Sequence, residues 1–369
     1  MDNVSWWKTT FNTKKILIRM SDSISNGNLS LGPVTFNFEN RIAKMMDVPY
    51  CVTTTSGSVA LLLAMMALGI KQGDEVIVPN RSWIATAHAP FLLGAKVVFV
   101  DVLSDLPIMD VSQIRKKITS RTKAILPVHL CGRSVDMVAV WDIANEFGLY
   151  VVEDAAQAMF SKNSKGYLGT QSHMGCFSLS MAKLISTGQG GFIVTKQKEI
   201  YEKLKLIRSH GVSNTMKVAW DMKGFNFRYN DIQASIGLEQ LEEVNKRIDH
   251  LIKLYKRYEE QIRDIPFIKL IPVSISSGEV PLYIEILCEE SENLAKFLND
   301  QGIETRPFFP EMSSANYLNA SNKVFPNARR FATEGLFLPS GVEQPLDNVD
   351  KVVRALRVYS KECVKQIKQ

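Results

Sequence analysis

The chain has 369 residues, more than one hydrophobic core usually holds, so its length predicts a large domain and a smaller one. Its composition, 46% hydrophobic and 22% charged, is ordinary for a globular protein and excludes collagen-like, coiled-coil and disordered chains. The net charge of +6, without a basic run, argues against nucleic-acid binding. Five separated cysteines, no apolar leader and no apolar stretch longer than residues 59–68 predict a cytoplasmic protein without disulfides, a structural zinc site or a membrane span.

Predicted strands and helices alternate in the first half of the chain, after about 25 residues that show no regular pattern and a turn at residues 27–33. The pattern predicts strands over residues 50–54, 75–78, 96–100, 124–128, 149–152, 175–179 and 190–195, and helices over residues 38–46, 59–68, 84–93, 111–118 and 137–147. Continuous runs of Val and Ile between amphipathic helices favour a parallel sheet that is covered on both faces.

The pattern changes at Asp231, where apolar residues at helical spacing predict one long helix over residues 231–258. A helix of that length could link a large domain to a small one. The sequence after it predicts a strand at residues 283–288 and helices at residues 291–301 and 349–369. We therefore expect a large α/β domain, with the N-terminal segment, over residues 1–240 and a smaller α+β domain over residues 241–369.

Several residues with useful chemistry fall where predicted strands end. Asp154 closes one strand, and Lys183 lies in a loop that continues with Ser-Thr-Gly-Gln-Gly-Gly. Gly57 and Ser58 connect a strand to a helix, where backbone N–H groups can bind a phosphate, and Trp83 offers a flat ring after another strand. A pyridoxal 5′-phosphate enzyme needs an amine, a carboxylate, a phosphate cup and a flat group at such strand ends.

Each of these residues has an ordinary interpretation when it is taken singly. An aspartate at a strand end is typically a cap, a lysine in a polar loop is typically solvated, and Ser-Gly-Ser before a helix is typically an N-cap. Trp83, taken by itself, is more typical of a core residue than of a surface that stacks on a cofactor. Arg81 is expected at the surface. The joint occurrence of these residues, in this order, is what favours the cofactor site.

The same segments carry a resemblance to a known family. The chain contains TTSGSVALLLAM, GDEVIVPNRSWIATAHA, VVEDAAQA, GCFSLSMAKLISTGQGG, GFNFRYNDIQASIGLEQLE and GIETRPFF. These motifs, spread over residues 27–351, resemble those of the DegT/DnrJ/StrS family of sugar aminotransferases. The resemblance implies the fold of type I pyridoxal-phosphate enzymes: a large, mostly parallel, mixed sheet of seven strands between helices, followed by a smaller α+β domain.

The resemblance also implies roles for individual residues. Lys183 would hold pyridoxal 5′-phosphate as a Schiff base, and the cofactor would alternate with pyridoxamine 5′-phosphate. Asp154 would pair with the pyridine nitrogen, and Trp83 would stack on the ring. Further cofactor contacts would come from Gly57, Ser58, Gln157, Ser178 and Asn226. Asn226 would reach the phosphate in the neighbouring subunit, so a homodimer with shared active sites is expected.

The function that the resemblance implies is transfer of an amino group, from a donor such as L-glutamate, to a nucleotide-linked keto-sugar. An NDP-4-keto-6-deoxyhexose is favoured, for surface-polysaccharide or amino-sugar biosynthesis, with Arg228, Arg306 and His129 as candidate substrate residues. The motif gives no metal site and no nucleic-acid partner. Two alternatives stay open: a pyridoxal-phosphate-dependent sugar dehydratase or deoxygenase, and a non-catalytic sensing or scaffold protein. The presence of Lys183 favours transamination over both.

Overall fold

The computed structural model describes residues 3–213, 216, 219–220, 222–318 and 324–367. The helices are α1 (Thr13–Ser25), α2 (Pro33–Met45), α3 (Gly57–Ala67), α4 (Ala85–Phe91), α5 (Met137–Phe147), α6 (Lys198–Arg208), α7 (Asp231–Glu242), α8 (Val244–Ile262), α9 (Ser291–Asp300), α10 (Pro326–Glu334) and α11 (Leu346–Ile367). The strands are β1 (Tyr50–Thr54), β2 (Glu75–Pro79), β3 (Lys96–Val100), β4 (Thr122–Ile125), β5 (Tyr150–Asp154), β6 (Lys162–Asn163), β7 (Gly166–Tyr167), β8 (Met174–Ser178), β9 (Gly191–Thr195), β10 (Lys269–Leu270), β11 (Ile284–Leu287), β12 (Arg306–Pro307) and β13 (Gly335–Leu338). None of the helices in these ranges combines the length and apolar character needed to cross a bilayer.

The large sheet has seven strands in the order β1-β9-β8-β5-β4-β2-β3. Its strands pair in parallel except β9, which runs antiparallel to both β1 and β8. Their residues are almost entirely buried, as expected for a sheet with helices on both faces. The predicted fold class, a mostly parallel mixed sheet of seven strands flanked by helices, is confirmed.

The parallel strands bring their carboxyl ends to one edge of the sheet. β1 leads into Ser56 and Gly57, β2 into the segment that contains Trp83, and β5 and β8 end at Asp154 and Ser178. Functional groups of α/β proteins collect at this edge because every strand there opens into a loop or a helix start. The topology therefore brings together segments that are far apart in the chain.

Three local predictions were wrong. The first 25 residues are not irregular throughout, because residues 13–25 form α1, which packs on α7 through ion pairs of Lys15 and Arg19 with Glu239. Residues 111–118 form two short 3-10 turns instead of an α-helix, and only Ile114 among them is fully buried. The long helix predicted from residue 231 is two helices, because the backbone at Glu243 leaves helical geometry.

A second, antiparallel sheet has the order β10-β11-β13-β12 and lies after the long helix α8. The N-terminal segment lies along this part of the chain: Val4 bridges to Ile303 and Trp7 to Ser340. The division into residues 1–240 and 241–369 stays a prediction.

A buried charge cluster joins the segment before α5 to the second sheet. Arg133 donates through Nη1 to the Glu285 carboxylate and through Nε to the Pro272 carbonyl, at 2.8 Å. Arg81 approaches the other Glu285 oxygen at 3.9 Å and lies 4.1 Å over the Phe308 ring. Arg81 is only 3% exposed, so its predicted place at the surface was wrong. Burial lowers the pKa of Arg81 to about 10, which leaves it charged at neutral pH.

Replacing Glu285 with glutamine is expected to destabilise the protein. The substitution removes the negative charge that faces two buried guanidinium groups, and such an uncompensated charge costs about 3–5 kcal/mol. Urea unfolding followed by circular dichroism measures the change. Glu146→Gln is the matched control, because its ion pair with Arg115 is half exposed and should contribute less than about 1 kcal/mol. Equal stability of the two variants would contradict the prediction.

Candidate active site

A cavity of about 370 Å³ opens at the carboxyl edge of the large sheet. Seven of the predicted site residues line it: Gly57, Ser58, Trp83, Asp154, Gln157, Ser178 and Lys183. They come from the ends of four strands and from the loop between β8 and β9. The cavity therefore unites the amine, the carboxylate and the small polar residues that the sequence places in separate segments.

Lys183 extends its amine into this cavity. Its Nζ lies 3.4 Å from the Tyr283 hydroxyl, and among the described lining residues it is the only lysine. Burial lowers the pKa of Lys183 from 10.5 to about 8, and the nearby Asp154 carboxylate partly opposes that change. A large fraction of the amine is therefore neutral, and nucleophilic, at mildly basic pH.

This pKa gives a test in the cofactor-free protein. At pH 8, half of an amine with a pKa of about 8 is neutral, whereas only about 0.3% of a solvated lysine is neutral. Burial therefore raises the reactive, neutral fraction about 150-fold. The rate at which the protein captures added pyridoxal phosphate, followed by its absorbance, is expected to rise with pH and to level off above pH 8. A rate that keeps rising to pH 10 would contradict this prediction.

Asp154 lies at the end of β5 and is buried. Its Oδ2 accepts a hydrogen bond from the Thr86 hydroxyl at 2.7 Å, and its Oδ1 accepts from the Ala156 N–H at 3.2 Å. Burial raises the pKa of this carboxyl, and the two hydrogen bonds and the Lys183 charge oppose the rise. The carboxylate is therefore held in one orientation, and its charge lacks a cation in direct contact among the described residues.

The opposite side of the cavity is suited to an anion. Helix α3 begins here, and Ser56 caps it by accepting from the Val59 N–H. The first N–H groups of a helix have no partner inside the helix and lie at its positive end. A side chain at Gly57 would put its Cβ 2.8 Å from the Cβ of Ser178. Glycine is needed at that position because the helix start and the end of β8 approach so closely. The hydroxyls of Ser58 and Ser178 line the same region.

Aromatic side chains form the rim of the cavity. Trp83 is 56% exposed and packs its ring edge against Phe309, with ring centres 5.0 Å apart. Trp6 lines the cavity from the N-terminal segment. Gln157 lies at the base, where its Oε1 accepts from the Cys131 N–H at 3.0 Å and the amide is thereby oriented.

Comparison with known sequences decides the family. A profile of the DegT/DnrJ/EryC1/StrS aminotransferase family matches residues 12–357. The chain belongs to this family. The predicted resemblance is thus confirmed over nearly the whole chain, and with it the assignment to the transaminases.

Individual members of the aminotransferase family are similar over most of their length. The GDP-perosamine synthase of Escherichia coli O157:H7 is 36% identical over 84% of this chain and 86% of its own. That of Vibrio cholerae is 31% identical over 92% of this chain and 95% of its own. The crystal structure of Streptomyces venezuelae DesV in complex with a ketimine intermediate superposes with a TM-score of 0.90, at 30% identity, over 94% of this chain and 95% of that one.

Pyridoxal 5′-phosphate is the cofactor of this aminotransferase, and the cavity fits it. The helix start at Gly57 has no room for a Cβ, which would lie 2.8 Å from the Ser178 Cβ, and backbone N–H groups at such a helix start suit a phosphate group. The buried Asp154 offers a negative charge to the protonated ring nitrogen, and Trp83 offers a flat surface. Lys183 is within the same cavity, where its amine can reach the aldehyde.

Four predicted residues do not line the cavity: His129, Asn226, Arg228 and Arg306. His129 is fully buried behind it: its Nδ1 accepts from the Val135 N–H at 3.2 Å, so Nε2 carries the proton and donates to Glu153 at 2.8 Å. Arg228 donates to the Asn226 side chain at 3.1 Å on an exposed segment. Arg306 pairs with Glu304 and lies over the Trp6 ring, 5.8 Å from its centre. Their roles toward substrate stay predictions, and both ring nitrogens of His129 are already occupied.

The lining residues that were not predicted from the sequence include Trp6, Thr86 and Tyr283. Thr86 lies three residues after Trp83, and the family motif around it could have indicated a place near Asp154. Trp6 and Tyr283 come from the first and last thirds of the chain, and no local pattern links them to Lys183.

Proposed function

We propose that this protein transfers an amino group from L-glutamate to carbon 4 of a GDP-linked 4-keto-6-deoxyhexose. Lys183 and Asp154 in one cavity support the transamination, and the three GDP-perosamine synthases among the relatives support the sugar, because perosamine is a 4-amino-4,6-dideoxyhexose. The product would serve surface-polysaccharide synthesis, such as that of a lipopolysaccharide O-antigen, from a cytoplasmic pool.

Each residue of the cavity has its own role in the proposed transamination. The cofactor, when bound, supplies a ring that delocalises the electron pair left after a proton is removed. The Lys183 amine would hold the cofactor through its aldehyde and, once freed, would accept the proton lost by the donor α-carbon and deliver it to the cofactor. Asp154 would keep the ring nitrogen protonated, and the α3 N–H groups with Ser58 and Ser178 would hold the phosphate. Trp83 would stack on the ring, and Gln157 would hydrogen-bond its hydroxyl side.

A substrate panel tests the proposed activity. The protein with pyridoxal phosphate and L-glutamate is offered GDP-4-keto-6-deoxymannose and dTDP-4-keto-6-deoxyglucose, and 2-oxoglutarate formation and product mass are measured. We expect amination of the GDP-sugar with a higher kcat/KM. A preference for the dTDP-sugar would reject the nucleotide assignment. Loss of a sugar hydroxyl without glutamate consumption would instead indicate the dehydratase.

We also propose that the active form is a homodimer in which Asn226 contacts the phosphate bound by the other subunit. The residue is exposed and outside its own cavity, and the neighbouring Phe225 is 65% exposed. Mixed dimers of Lys183→Ala and Asn226→Ala chains distinguish this arrangement from self-contained sites. If sites are shared, each mixed dimer holds one site with both residues intact and one with neither, so activity should reappear on mixing. No recovery would reject the shared site.

A further inference from the structure

We propose that Tyr283 is a positioning residue that holds the amine of Lys183 for reaction. Tyr283 comes just before β11 in the second sheet, whereas Lys183 lies in a loop of the first. Their side chains meet in the cavity, with Lys183 Nζ 3.4 Å from the Tyr283 Oη. The inference rests on the proposed role of Lys183 and adds a residue that sets where its amine points.

The Tyr283 hydroxyl is oriented by a second contact. It donates its hydrogen to the Ala182 carbonyl at 2.6 Å, and Ala182 immediately precedes Lys183. Because that hydrogen is committed, only oxygen lone pairs are available to the lysine, and Oη must accept from Nζ. One phenol thus contacts both the backbone and the side-chain amine of the same loop.

The phenol is suited to hold the amine and not to exchange protons with it. Burial raises the pKa of Tyr283 well above its ordinary value of 10, so the group stays protonated in the range where the Lys183 amine titrates. An acceptor on one side of Nζ restricts rotation of the amine and directs its lone pair. Tyr283 therefore positions Lys183, and the proton transfers are left to the lysine.

The ring of Tyr283 is braced by the N-terminal segment. The Trp6 and Trp7 rings lie with their centres 5.7 Å and 5.5 Å from it, and Phe337 lies at 5.3 Å. Trp7 is in turn fixed by its bridge to Ser340. Such packing holds the phenol in place and gives the segment before α1 an indirect part in the site.

The test is Tyr283→Phe, which keeps the ring contacts and removes only the oxygen. Loss of one hydrogen bond of this kind lowers an orientation-dependent rate about tenfold. We expect kcat to fall by about that factor, while KM for both substrates changes less than about twofold. Tyr258→Phe is the matched control, because its hydroxyl also donates to a buried carbonyl, that of Pro339 at 3.2 Å, and Tyr258 is not among the residues that line the cavity.

A second readout uses cofactor-free protein and no substrate. Removing the acceptor destabilises the ammonium form of Lys183, so in Tyr283→Phe the pH midpoint for capture of pyridoxal phosphate should move lower and the plateau rate should fall. Tyr258→Phe should match the wild type in both. Tyr283→Met also lacks the hydroxyl, and its flexible side chain can fill much of the same space, so it should behave as Tyr283→Phe does. If one of the two variants folds poorly, the other still tests the inference.

The outcomes separate this inference from the proposed function. Wild-type kcat and capture in both Tyr283 variants, with Lys183 still required, would overturn the positioning role alone. Capture that is independent of Lys183 would overturn the proposed function instead. A variant that loses thermal stability but keeps kcat and the capture midpoint would show that Tyr283 is only structural and would also overturn the inference.

Discussion

Replacing Lys183 with alanine is expected to lower transamination by at least about 10⁴-fold, because in its proposed role the residue both attaches the cofactor aldehyde and moves the proton. Among the described residues that line the cavity, no other lysine could replace it. The fold should be kept, since alanine suits the loop and the amine makes one hydrogen bond, of 3.4 Å. Steady-state turnover with glutamate and the keto-sugar measures the loss.

The attachment itself is checked by borohydride reduction followed by mass spectrometry of the intact chain. Wild type should gain one covalent pyridoxyl phosphate, and Lys183→Ala should gain none. Lys196→Ala removes an exposed lysine just after β9 and should leave both the adduct and kcat unchanged. An adduct at wild-type level in Lys183→Ala would mean that another amine reacts.

The large sheet could be predicted from the sequence because its strands are buried on both faces. Residues 50–54 and 96–100 were predicted with their observed limits, since short runs rich in β-branched and aromatic residues show where such strands begin and end. Helix α1 could not be predicted from the sequence, because Lys15 and Arg19 hold it against the buried Glu239 of α7, more than two hundred residues away. Charge pairs between distant segments leave no local periodicity.

The site was predictable to the extent that its groups follow strands. Asp154 and Lys183 belong to motifs at the ends of β5 and β8, and parallel strands necessarily bring those ends together. Tyr283 and Trp6 are different, because they reach the cavity through the packing of the second sheet and the N-terminal segment. His129 is the opposite case. It follows β4, where a site residue is expected, but both of its ring nitrogens form hydrogen bonds inside the core, with Glu153 and the Val135 N–H.

Replacing Asp154 with asparagine is expected to lower kcat by about 10²–10³-fold, the usual cost of removing one oriented electrostatic partner. Asparagine has the same shape: its Oδ1 can still accept from the Ala156 N–H, and its amide N–H can donate to the Thr86 hydroxyl, which can turn to the Trp83 carbonyl. The change therefore removes the charge with little change in the contacts. Without the carboxylate, no group in the described cavity stabilises a proton on the ring nitrogen. Turnover with saturating substrates measures the effect.

The lysine gives a second, independent measure of that charge. Asp154 raises the pKa of Lys183 against the effect of burial, so its removal should move the pH midpoint of cofactor capture below 8, toward the value that burial alone would give. Asp142→Asn, an exposed carboxylate on α5, should change neither kcat nor the midpoint. Asp154→Glu keeps the charge but moves it. This variant should still raise the pH midpoint of cofactor capture, as wild type does, while losing part of kcat. A fall in kcat without any shift of the midpoint would mean that Asp154 acts through the ring orientation, because a charge that stabilises the ring nitrogen in this cavity must also be felt by the amine.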